Sequence, residues 1–249
     1  MDLIKKINNS REILKKYLKE EWDISNISDY SNEEIEKLYT MKSDHNFISF
    51  GKASNLNMTL NHKDIKDHKL HIIYYNFPEL NCTPLKVTKT CGDKILSLYT
   101  NELIDPEDSV ILIITENISE NIEKTIEDVY KKGQEKLIMD GVSDKINEQN
   151  MKLDKKYKRE HFRNIHLFNI NTLGFDIGLH SSVPKHKCIR FKDEIDDILK
   201  NVNANDQQIP IILRTDPMAK LLRLSPGDLC EINRVSERTG EYKFYRICN

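Results

Sequence analysis

The forty residues from Ile209 to Cys248, IPIILRTDPMAKLLRLSPGDLCEINRVSERTGEYKFYRIC, leave this chain few folding options. A short apolar strand runs into Asp216-Pro217, a pair that opens a short helix. Asp216 accepts from the free amides of the first turn, and Pro217 occupies the first helical position, where its missing N–H costs nothing. Ser225-Pro226-Gly227-Asp228 then turns the chain, with Gly227 able to reach positive φ after proline. Strands Leu229–Val235 and Tyr242–Cys248 follow, joined by Ser236–Glu241, a loop with Gly240 near its end. Strand, capped helix, turn and hairpin form one small α+β unit.

Upstream, the pattern predicts a different unit. Leu3–Glu21 reads as an amphipathic helix with Ile4, Ile7, Leu14 and Leu18 on one face. Ser31-x-x-Glu34 is a capping box for a second helix carrying Ile35, Leu38 and Tyr39. Asn46–Asn61 is polar and mixed, suggesting a strand ending in a loop. Leu70–Phe77 reads as an aromatic-rich strand that Pro78 ends, and Lys94–Tyr99 as a short helix. Val110–Thr115 (VILIIT) is a continuous apolar run, as in a strand buried on both faces. Asn117 with Glu120 starts a helix striped by Ile118, Ile122, Ile126 and Val129; Gly133 is expected to end it, and Lys136–Val142 to be the next strand. Strand–helix–strand implies a parallel pair. Residues 1–150 are therefore expected to be an α/β domain, and the polar stretch 144–159 a linker. Residues 160–249 are expected to form the second domain, opening with strand Asn164–Ile170 and continuing through a helix at Asp193–Lys200.

Composition excludes several classes. Net charge is −2, which gives no bulk attraction to nucleic acid. The longest apolar run, Val110–Ile114, is too short for a bilayer span, and the charged start of the chain is unlike a secretory signal. Five scattered cysteines without a Cys-x-x-Cys pair argue for a reducing, intracellular setting. Abundant Lys, Asn and Ile with only 8 Gly suggests an A/T-rich genome, as in many large DNA viruses and some protists. Arginine clusters toward the end: Arg163, Arg190, Arg214, Arg223, Arg234, Arg238 and Arg246. Planar, weakly hydrated guanidinium suits interfaces, so some of these are expected there.

The C-terminal stretch resembles the assembly domain of the fifth common subunit of eukaryotic nuclear RNA polymerases and of its archaeal counterpart. Pro210, Asp216-Pro217, Ala219, Leu224-x-x-Gly227-Asp228, Ile232 and Arg234 carry the resemblance. Ser236-Glu-x-x-Gly240-x-Tyr242, Tyr245-Arg246-Ile247-Cys248 and, upstream, Val183-Pro184-Lys185-His186 extend it over about residues 165–249. Residues 169–183 are longer than the family's corresponding turn. Eukaryotic members add an N-terminal α/β jaw related in fold to nucleases, and the element order here matches it.

The resemblance implies a non-catalytic structural subunit of a multisubunit DNA-directed RNA polymerase. It would dock on the largest subunit and lend part of the lower jaw near downstream DNA. No cofactor, metal or membrane is implied. The setting would be a nucleus, or a virion or cytoplasmic virus factory for a viral polymerase. Pro184, His186, Arg214, Asp216, Pro217, Arg234, Tyr242 and Arg246 are the residues expected to dock or to shape the docking surface, with Gly227 structural beside them.

Two other classes compete. A metal-dependent nuclease in the first domain needs clustered acids with a lysine. Asp64/Lys66, Asp67/Lys69, Asp154/Lys156 and Glu241/Lys243 have the spacing, at a frequency chance alone supplies. Neither His180/His186/Cys188 nor His62/His68/His71 has the paired spacing of a closed zinc site. The run Lys152–Arg159 is basic enough to touch phosphates, though as a solvated linker it needs no function. A catalytic Cys–His pair is disfavoured because Cys230 and Cys248 fall on strands, where a thiol acts as a small hydrophobe. The remaining alternative is a free-standing transcription adaptor that uses only the C-terminal fold. Along the last strand Tyr242 and Phe244 alternate with Lys243 and Tyr245, so one pair should face the core and the other a partner.

Overall fold

The computed structural model describes residues 2–41, 51–83, 86–87, 90–150, 153, 156–236 and 240–249. The chain divides into two compact units. One contains residues 1–145 and 162–175, the other 146–161 and 176–249. Asn46–Phe50, Asp154, Lys152 and Arg238, on which expectations fell, lie outside the described residues.

The first unit is built on a four-stranded sheet in the order β1 (Met58–Asn61), β2 (Lys69–Tyr74), β3 (Ser109–Ile114), β4 (Ile165–Asn169). β1 pairs antiparallel with β2, while β2–β3 and β3–β4 are parallel. Parallel neighbours need crossovers, supplied by α3 (Thr90–Thr100) between β2 and β3 and by α4 (Glu120–Met139) between β3 and β4. All six residues of β3 are buried, as its unbroken apolar run requires. One face of the sheet, with Ile73, Val110, Leu112 and Leu167, packs against Ile95 and Leu98 of α3 and Ile122, Ile126 and Val129 of α4. Toward the other face, α1 (Leu3–Leu18) is tied to β2 by a hydrogen bond between Ser10 Oγ and Tyr74 OH, 3.0 Å. Helix α2 (Asn32–Thr40) starts at Ser31 with both halves of the capping box made.

The structure corrects four expectations. Lys136–Val142 is not a strand: α4 runs on to Met139 and the chain re-enters a helix, α5 (Val142–Asn150), so part of the expected linker is helical. Gly133 does not end α4. It lies in the helix because the buried Arg163 side chain passes against it, and a Cβ there would meet Arg163 Nε at 2.6 Å. Strand Ile165–Asn169 does not open the second unit but fills the edge of the first sheet beside β3, in register from Val110↔Ile165 to Ile114↔Asn169. The expected parallel pair forms, with β4 in place of 136–142. The helix itself starts after Ser119 rather than Asn117, and the Ser119 side chain makes no capping bond.

The second unit has its own four-stranded sheet, in the order β5 (Lys185–Ile189), β7 (Leu229–Ser236), β8 (Gly240–Cys248), β6 (Ile211–Ile212). β7 is antiparallel to β5 and β8, and β6 is parallel to β8. Helix α6 (Lys192–Asn201) covers one face through Ile195 and Leu199 against Ile189, Leu229, Tyr245 and Ile247. The short helix α7 (Pro217–Leu221) covers part of the other, where Ala219, Leu222 and Leu224 pack on Cys230, Ile232, Phe244 and Cys248. Because α7 has only 5 residues, it covers less of its face than α6 does of the opposite one.

Candidate functional site

Register decides what that second face presents. In an antiparallel ladder, residues directly opposite share a face. Cys188 pairs with Cys230, and Cys230 with Arg246; His186 pairs with Ile232, and Ile232 with Phe244; Arg234 pairs with Tyr242. These residues therefore form successive rows on the α7 side of the sheet. Cys230 and Ile232 are buried beneath α7, while Phe244, Arg246, Arg234 and His186 are half-exposed and Tyr242 is exposed. Four of the nine expected residues, His186, Arg234, Tyr242 and Arg246, thus come together on one surface.

Phe244 organises this surface. The Arg234 guanidinium carbon stands 4.9 Å from its ring centroid and that of Arg246 5.5 Å, so one ring receives two cations. Cation–π attraction holds both guanidiniums near the sheet while leaving their N–H groups available for planar acceptors. Arg246 spends one of these donors on the carbonyl of Ile211, 3.0 Å away. The sequence alternation named Phe244 without deciding which way it faced.

The remaining expected residues build the scaffold. Asp216 caps α7, accepting from the amides of Met218 at 2.8 Å and Ala219 at 3.4 Å, and Pro217 opens the helix. The carbonyl of Pro184 accepts from His186 Nδ1 at 2.7 Å, which fixes the turn into β5. Gly227 has φ +81° and donates its amide to Cys248 O at 2.9 Å, so positive φ is required where β7 starts. Arg214 is buried, and its amide donates to the carbonyl of Asn249, so it belongs to the fold rather than to the surface.

The arginine cluster splits in the same way. Arg163, Arg190 and Arg223 are buried like Arg214 and are not surface groups. Arg190, expected only as a member of the cluster, is tied closely into the fold. Its guanidinium donates to Asp228 Oδ2 at 2.6 Å and to the carbonyls of Leu222 and Arg223 at 2.9 and 3.1 Å. Asp228 Oδ2 also accepts the Ser225 amide at 2.9 Å, tying the start of α6 to the turn before β7. Arg163, in the first unit, lies 3.8 Å over the Tyr99 ring, and burial lowers its pKa.

On the α6 side of the sheet, the buried Glu231 receives Lys243 Nζ at 3.0 Å and Tyr245 OH at 3.3 Å. Lys243 and Tyr245 lie on this side and Tyr242 and Phe244 on the arginine side, but neither pair is simply core: Tyr245 and Phe244 pack against the fold while Lys243 and Tyr242 are exposed.

Several residues named for the competing chemistries take part in contacts of the fold. Burial pushes the thiols of Cys230 and Cys248 up to about 12, which keeps them protonated and poorly nucleophilic at neutral pH. His62 and His68 stack edge-on or tilted against Trp22, with ring centroids 4.9 and 5.2 Å away. His71 Nε2 bonds Asp108 Oδ2 at 2.9 Å, and its Nδ1 bonds Thr59 Oγ1 at 3.1 Å. Lys69, of the Asp67/Lys69 triplet, opens β2 beside Asp105. The neighbouring Asp108 carboxylate takes three donors: Oδ1 accepts the Lys69 amide, and Oδ2 accepts from His71 and the Asp105 amide. His180 Nδ1 accepts the Ser182 amide at 3.2 Å in the turn before β5.

Residues 175–248 match the family model described as RNA polymerase Rpb5, C-terminal domain. The chain is 38% identical over 73 residues to DNA-directed RNA polymerase subunit Rpo5 of Archaeoglobus fulgidus, covering 29% of this chain and 95% of the relative. It is 39% identical over 68 residues to the Rpo5 subunit of Aeropyrum pernix, 27% of this chain and 74% of the relative. For Methanococcus maripaludis Rpo5 the figures are 37% over 71 residues, 28% and 90%.

Proposed function

Because this chain belongs to the Rpo5/Rpb5 family of DNA-directed RNA polymerase subunits, we propose that it is a non-catalytic structural subunit. In this reading, it docks on the largest polymerase subunit through residues 176–249. The observation that carries the reading is the sheet face on which Arg234 and Arg246 flank Phe244 beside Tyr242 and His186. Arg and Tyr are the residue types that most often anchor interfaces, because they give large contact area and directional hydrogen bonds at low entropic cost. The scaffold under the face is stiff, being a paired sheet with α6 behind it, so little order has to be created on binding. The first unit, whose element order suggested a jaw, is proposed as part of the lower jaw near downstream DNA.

A tagged chain recovered from its native source should bring down the largest polymerase subunit and elute in a very large complex. Recovery of the chain alone, at its own size of 29.2 kDa, would sink the reading.

A further inference from the structure

The last strand is paired along its whole length on one side and hardly at all on the other. β8 meets β7 from Gly240 to Ile247, but β6 meets β8 only at Ile247 and Cys248. The direction of each backbone amide follows from the bonds made at the end of the strand. Ile247 donates to Pro210 O at 2.9 Å and Asn249 to Ile212 O at 3.0 Å, so odd-numbered residues point toward the β6 side. Cys248 donates to Asp228 O at 2.8 Å, so even-numbered ones point toward β7. By this alternation the N–H and C=O groups of Glu241, Lys243 and Tyr245 face a lane beyond β6. Before Ile211 the chain is taken up by Pro210 and a single 3-10 turn at Asp206–Gln208. No strand among the described residues fills that lane.

We propose that the open lane of β8 takes an extended segment of a partner polymerase subunit as a fifth strand, with carboxylates at alternate positions on the arginine side. This rests on the proposed docking and specifies how that docking is made. Strand addition supplies affinity through main-chain hydrogen bonds and specificity through alternate side chains. A strand in the lane would set every second side chain beside Tyr242, Phe244 and Arg246, where Arg234 and Arg246 are cationic and carboxylates complete planar guanidinium pairs. The opposite side is already neutralised, because Lys243 is held by Glu231. An exposed strand rich in aromatic residues is also an edge that folded proteins normally cover or blunt. A second copy of this chain fits less well. Antiparallel pairing of two β8 edges centred on Lys243 would set Tyr242 opposite Phe244 and Arg246 opposite Gly240, which brings no carboxylate to the arginine side.

Lys243→Pro tests this directly, because proline removes the lane-facing N–H and leaves the β7 ladder intact. The full-length tagged variant, expressed in the native source and checked for an unchanged thermal melt, should recover less than a tenth of the polymerase that the wild type recovers. In the wild-type complex, amide exchange at Glu241, Lys243 and Tyr245 should slow at least a hundredfold relative to the free chain. That second measurement decides the matter even if the proline variant does not fold. Equal recovery by a folded Lys243→Pro chain, or exchange in the complex at the free-chain rate, overturns strand addition and leaves docking intact. Failure of the wild type to recover any polymerase subunit overturns the docking reading itself. Sedimentation of the purified chain as a dimer that Lys243→Pro abolishes would assign the edge to a second copy and overturn the proposal.

Discussion

Arg190 and Asp228 form a buried ion pair, 2.6 Å from guanidinium nitrogen to carboxylate oxygen, that joins the end of β5 to the turn preceding β7. Arg190 donates to two carbonyls as well, and Asp228 accepts a backbone amide, so the charges are enclosed in a satisfied network. Such a pair adds little over an apolar substitute, but breaking one side leaves a buried charge. Arg190→Met should therefore lower unfolding free energy by about 3–5 kcal/mol. Chemical denaturation of the full chain measures this, and restoration by Asp228→Leu in the same chain would confirm that the stranded carboxylate was the cause.

The surface arginines should behave in the opposite way. Arg234→Ala and Arg246→Ala remove half-exposed cations from Phe244 and leave the buried core residues in place, so the thermal midpoint should barely move. Each should weaken binding to the polymerase by roughly tenfold, the size expected for an interface anchor. A competition assay against wild-type chain during assembly reads the difference.

Gly133 offers a test against simple helix propensity. On propensity alone, Gly133→Ala within α4 should stabilise by about 1 kcal/mol. The added methyl would instead meet Arg163 Nε at 2.6 Å and Cδ at 2.8 Å, and Arg163 is pinned between Tyr99 and the Pro106 carbonyl. The expected outcome is destabilisation by about 1–3 kcal/mol, as for other overpacked sites. A rise in the denaturation midpoint would refute the packing argument.

The two buried thiols set an alkaline limit on stability. Cys230 and Cys248 move from an ordinary 9.0 to about 12 on folding, so the native chain keeps protons that the unfolded chain releases. Stability from these groups is intact below pH 9 and is lost as pH rises toward 12. The slope should reach up to about 1.4 kcal/mol per pH unit for each thiol. Urea unfolding at pH 8 and pH 10 should show the fall, and Cys230→Ala/Cys248→Ala should flatten it, although its absolute stability will be lower.

Asp216→Ala should cost about 1 kcal/mol, the usual value of a helix cap. Two amides would be released at the start of α7. Asp216→Asn should recover most of the loss, since an amide oxygen caps as well as a carboxylate.

Local signals were legible where local physics decides. The capping box at Ser31, the Asp216-Pro217 helix start, positive φ at Gly227 and the all-buried β3 follow from residue chemistry over a few positions. The larger failures involve distant partners, while the helix start at Ser119 in place of Asn117 is a local miss of two residues. Gly133 read as a stop because nothing nearby in the chain announces Arg163. Lys136–Val142 read as a strand because the sequence does not reveal that Ile165–Asn169 will claim the place beside β3.

The sequence by itself determined the C-terminal unit, its turn chemistry and the residue types available for docking. Only the tertiary structure decided where those residues lie. Strand register put Arg234, Phe244, Arg246 and Tyr242 on one face, while burial withdrew Arg190, Arg214 and Arg223 into the fold. The physical reason is that side-chain direction alternates at every residue of a strand. Which side meets solvent is settled by the helices packed against the sheet, and those helices come from other parts of the chain.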